Sequence, residues 1–202
     1  MEIGVLALRE VLSEHIQAIS KSGCNAVEIQ KPGELDGVQG LIVFGEKSEI
    51  IEKLMLEKSL LGRIAERAGE GMPVFGVGFG IILLAKEVEE SSLPALGLMD
   101  IAVAKFTSGH QNEKWHIELF IPALGSKPIE AVLVGNLHIM RVKPNVGILS
   151  VYEDKIVMAR QGDFLACSFY PRLKDDYRLY EYFIKIVKDH LAFHQEKILY
   201  NT

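Results

Sequence analysis

The chain is 202 residues long, 49% hydrophobic and 24% charged, which suits one domain over residues 1–202 with a sizeable core. A net charge of -5, with 22 basic residues that form no run or stripe, excludes a nucleic-acid footprint. No apolar stretch reaches the length of a membrane span and the first residues lack a basic start and a cleavage site, so a cytoplasmic protein with Cys24 and Cys167 as free thiols is expected.

The predicted elements alternate through the first half. Residues 3–8 are a continuous apolar run, as expected of a strand buried on both faces of a parallel sheet. Apolar residues then recur at helical spacing over 11–19, with Gly23 as the stop. Ala26–Ile29 and Gly40–Phe44 read as the second and third strands, separated by a turn at Lys31-Pro32-Gly33. Helical periodicity covers 48–69, and Pro73–Val77 is the fourth strand. From about Ile101 to Ser168 short β-like runs follow one another across turns such as Leu124–Pro128, which predicts antiparallel additions to the sheet. A final helix is expected over about 176–195. The fold class is therefore α/β: a three-layer arrangement with a largely parallel central sheet, helices on both faces and a site at the carboxyl ends of the strands.

The stretch PVFGVGFGIILLA, Pro73–Ala85, runs from an apolar strand through a glycine-rich corner into a predicted helix over 78–87. Catalytic elbows are built this way, with the reactive side chain on the turn and its backbone amides facing the substrate. The apex residue here is Gly78, which has no side chain.

Several segments together resemble the glutaminase subunit of pyridoxal 5'-phosphate synthase, the PdxT/SNO family. They are the run IGVLAL at the start, Glu14-His15, PVFG with the segment 76–87, Leu96–Ile101, Arg160-Gln161-Gly162, Ser168–Pro171 and Asp175-Asp176. The resemblance covers nearly the whole chain and implies a flavodoxin-like, class I glutamine amidotransferase-like fold. It also implies a Cys-His-Glu triad that hydrolyses glutamine and passes ammonia to a partner synthase barrel, and no cofactor.

The triad positions depart from that pattern. The family's G-T-C-A-G elbow falls on Gly76–Gly80, so the thiol position is Gly78. Its S-F-H-P-E-L falls on Ser168–Leu173, placing Tyr170 at the base and Arg172 at the orienting carboxylate. Glycine, phenol and guanidinium cannot replace thiolate, imidazole and carboxylate at neutral pH. The family's glycine loop for oxyanion and substrate falls on Phe44–Ser48, making Gly45, Glu46, Lys47 and Ser48 pocket-equivalent together with Phe79, Lys105 and Gln111. Arg9 and Glu10 replace the family's Q-G after the first strand, in the segment through which its members meet their partner.

Other reactive side chains offer less. Strand alternation from Tyr170 turns Cys167 away from the site, as a small buried hydrophobe. Cys24 lies in a turn without an acidic or histidine partner nearby in sequence. His190 and His194 have the i,i+4 spacing of metal ligands, but no third ligand is evident; a solvated face and no metal site are expected. His15 reads as structural or surface, and Ser48 as a helix cap. The expected function is that of a catalytically degenerate homologue, a binding or regulatory protein for a small molecule or a synthase subunit. The alternative is an active glutaminase supplying ammonia for pyridoxal 5'-phosphate synthesis.

Overall fold

Alternate residues of β3 (Gly40–Gly45) point to opposite cores. Leu41 and Val43 enter a cluster with Leu60, Ile64 and Val74, whereas Ile42 and Phe44 join Ile3, Val5, Phe75 and Phe183. A strand buried on both faces needs an apolar side chain at every position, which is why its sequence reads as an unbroken hydrophobic run. The computed structural model describes residues 1–6, 9–45, 57–89, 95–104, 114–134 and 137–200.

Around β3 the chain builds a sheet from β1 (Glu2–Leu6), β2 (Asn25–Glu28), β4 (Val74–Gly78), β5 (Ala85–Val88), β6 (Met99–Val103), β9 (Ile139–Val142), β10 (Gly147–Tyr152), β11 (Lys155–Gln161) and β12 (Phe164–Cys167). Its order is β2-β1-β3-β4-β12-β11-β9-β6-β5, with β10 attached to β11. The five strands from β2 to β12 are mutually parallel, and β11, β9 and β6 continue the sheet antiparallel. A second sheet, β13-β8-β7, combines β7 (Lys114–Leu119), β8 (Ile129–Val134) and β13 (Phe169–Pro171).

Helices cover both faces, as expected. Helix α1 (Arg9–Lys21) and the C-terminal α4 (Arg178–Tyr200) pack over one core, and α2 (Lys58–Gly69) over the other. Helix α2 starts at Lys58; residues 48–56 of the predicted helix lie outside the described residues. No helix among the described residues is long and apolar enough to cross a membrane.

The helix expected over 78–87 is corrected. Gly78 is the last residue of β4, α3 spans only Ile81–Leu84, and Ala85 turns extended, φ -64° and ψ 146°, to begin β5. All four residues of α3 are apolar, and Ile81, Leu83 and Leu84 are fully buried. Helix formers in Lys86 and Glu87 are overridden by edge pairing: β5 runs parallel to β6, and Lys86 and Glu87 bond to Asp100 and Arg141.

Candidate functional site

The elbow forms where β4 ends. Gly78 has φ +57°, a left-handed conformation that costs a residue with a β-carbon about 1–2 kcal/mol. The following residues tighten into α3 through Gly80 N–H to Val77 O, 3.0 Å, and Leu83 N–H to Gly80 O, 3.2 Å.

Tyr170 comes to this corner from the other sheet. Strand β13 leaves β12 after Ser168 and pairs antiparallel with β8, Tyr170 opposite Val132. Its ring lies against Gly78, where any β-carbon on residue 78 would overlap the phenol. The hydroxyl donates a hydrogen bond to the carbonyl of Gly45 at the end of β3. The same carbonyl accepts the Phe79 amide at 2.8 Å. The amide after the apex, an oxyanion donor in a working elbow, is thus spent inside the protein.

Gly45, Gly78, Phe79 and Tyr170 are therefore brought together, with Phe79 4% exposed and packed in the α2-side core. Core packing accounts for this aromatic, and it is Tyr170 that fills the mouth. Arg172 is held elsewhere, its guanidinium 3.4 Å from His116 Nδ1 and 3.5 Å from a Glu130 carboxylate oxygen. Residues Glu46, Lys47, Ser48, Lys105 and Gln111 lie outside the described residues, as do the side chains of Arg9 and Glu10, which open α1.

Sequence reasoning missed His116 and Glu130. The antiparallel register places His116 opposite Val132, which is itself opposite Tyr170. His116 also lines a cleft of about 430 Å³ with Trp115, Leu137, His138, Tyr152 and Lys155, with β8 standing between its strand and that of Tyr170.

The remaining thiols are internal. Cys167 is fully buried, with Sγ 3.5 Å from the Phe169 carbonyl, and burial pushes its thiol up to about 12 against backbone hydrogen bonding at Phe169 and Gly78. Cys24 lies in the expected turn after α1 and is buried there in the same core. His15 is also buried, stacked on Phe44 at 3.6 Å between ring centroids and sharing a 2.6 Å hydrogen bond with Tyr180. Burial lowers its pKa to about 4, so this imidazole is neutral at physiological pH.

Comparison with known proteins agrees with this architecture. Residues 5–189 match the model of the SNO glutamine amidotransferase family. The chain is 41% identical over 187 residues to the pyridoxal 5'-phosphate synthase subunit PdxT of Carboxydothermus hydrogenoformans, covering 93% of this chain and 98% of that one. It is 40% identical over 188 residues to the PdxT subunit of Desulforamulus reducens, covering 93% and 100%. A crystal structure of a glutamine amidotransferase superposes with a TM-score of 0.81 at 34% identity, covering 92% of this chain and 98% of that one. A match over nearly the full length, in a mostly parallel sheet with the elbow at the carboxyl end of β4, makes this chain a member of the SNO glutamine amidotransferase family.

Proposed function

We propose that the chain is a catalytically silent relative of the glutaminase subunit of pyridoxal 5'-phosphate synthase, a cytoplasmic binding or regulatory protein working as one domain over 1–202. The observation that carries this reading is the phenol of Tyr170 laid over Gly78 and bonded to Gly45. Glutamine hydrolysis in this family needs a nucleophile at the apex, a base beside it and a carboxylate behind the base. Gly78 has nothing to attack with, a phenol titrating near pH ~10 is a poor base at neutrality, and the Arg172 guanidinium, a donor with no acceptor atom, cannot orient a base as a carboxylate does. Cys167 does not substitute, since a buried thiol with a raised pKa supplies almost no thiolate.

Binding is the capacity that remains. The cleft along β7 and β8 is lined by two imidazoles, an ammonium and two aromatic rings that suit a small molecule. The relatives' name, a synthase subunit, supports a synthase barrel as the protein partner, met through the start of α1 where Arg9 and Glu10 stand.

Ammonia release from glutamine, measured with the purified protein alone and with a matching synthase subunit, is expected to stay at background. Turnover that survives in a Cys24→Ala, Cys167→Ala double variant would overturn the proposal, because it would require a nucleophile that this reading denies.

A further inference from the structure

Helix α4 carries His190 and His194 one turn apart, on a face that sequence leaves to solvent. His190 is not solvated: its side chain is 13% exposed, and Nδ1 lies 2.8 Å from Oδ2 of Asp163 in the turn between β11 and β12. The two imidazole centroids are 4.3 Å apart with the planes tilted by 50°. Opposite them is Gly71, at φ +104°, in the corner between α2 and β4. The point where a β-carbon on residue 71 would stand is 3.4 Å from Nε2 of His190 and 3.7 Å from Nε2 of His194. The His190 ring itself presses into that corner, its Cε1 2.9 Å from the same point, so the two outer nitrogens lie within 3.7 Å of one place beside the Gly71 backbone.

A carboxylate facing Nδ1 favours a proton on that nitrogen, which leaves Nε2 as the nitrogen available to a metal. Metal-binding imidazoles are oriented by the same arrangement. We propose that His190 and His194 chelate a first-row divalent cation such as Zn²⁺, Ni²⁺ or Cu²⁺ through their Nε2 atoms, with Asp163 as positioning residue and water completing the coordination shell. Imidazole nitrogen suits these ions over Mg²⁺ or Ca²⁺, which prefer oxygen donors. Among the described residues no group of three side-chain ligands forms, so the affinity is that of a two-imidazole chelate, weaker than a closed structural zinc site. A bound ion would brace α4 beside the α2–β4 corner.

The test is calorimetric titration of the chelator-stripped full-length protein with ZnCl₂, alongside long-range ¹H–¹⁵N spectra of its imidazoles. One equivalent is expected to bind, shifting Nε2 of both His190 and His194. His194→Ala should abolish that binding, and Asp163→Asn should weaken it by about 10-fold or more while leaving the circular dichroism unchanged. The site is refuted if the wild-type protein gives no binding or if His194→Ala binds with unchanged affinity and stoichiometry. Unchanged affinity in Asp163→Asn would refute the positioning role.

Discussion

At residue 78 a β-carbon and the phenol of Tyr170 compete for one volume, so the two positions are coupled. Gly78→Ala adds the left-handed backbone cost of about 1–2 kcal/mol to overpacking of about 1–3 kcal/mol. Loss of the ring in Tyr170→Ala removes the second contribution. Urea denaturation of both single variants and the double variant should show a coupling energy of about 1–3 kcal/mol, the double being more stable than the sum of the singles implies. Strict additivity would mean that the ring moves aside at no cost. Gly78 was legible because an elbow is a local pattern of strand, small residues and apolar run. The partners of Arg172 were not: His116 is 56 residues away in sequence, and only the pairing of β13, β8 and β7 brings it near.

Between elements, the contact of α1 with α4 across β3 runs through His15, Phe44 and Tyr180. Its imidazole titrates near 6.5 when unfolded and at about 4 when folded. As pH falls below 6.5 the unfolded chain takes up the proton first, so stability drops until about pH 4 and this contribution then levels off. The loss is roughly 2 kcal/mol at pH 5 and roughly 3 kcal/mol in full. Chemical denaturation of wild type and His15→Asn at pH 7 and pH 5 checks it: the variant should lose less stability by roughly 2 kcal/mol, and parallel losses would place the titration elsewhere. The boundaries of α3 show where sequence ran out at this scale. Periodicity continued smoothly through Lys86 and Glu87, but the edge of β6 was open and captured that segment as β5.

Across the whole molecule, the candidate site joins β3 and β4 of one sheet to β13 of the other. On the proposed reading, supplying three side chains is therefore expected to leave the site inactive. Gly78→Cys, Tyr170→His and Arg172→Glu together supply the chemical groups, yet the new glutamate would stand beside Glu130 where Arg172 now pairs with it. Phe79 stays in the core with its amide on Gly45, and a missing oxyanion donor costs about 2.7–4 kcal/mol of transition-state stabilisation. The triple variant should fold, by circular dichroism, and release little ammonia. Family-like turnover from the triple variant alone would show that only the triad had decayed. Sheet class and helix layers were readable from the alternating apolar runs, whereas the second sheet was not, since short strands do not announce which neighbours they will pair with.

The insertion of β12 between β4 and β11 also orders events in time. Strand β4, buried at every position, takes its second partner from Phe164–Cys167. On the ribosome, from the moment Gly78 emerges until Cys167 follows, one edge of that apolar strand presents unpaired amides and carbonyls to whatever is near. The elbow is thus among the last parts of the sheet to close, and a nascent chain paused within β11 offers a template for aggregation that the finished protein hides.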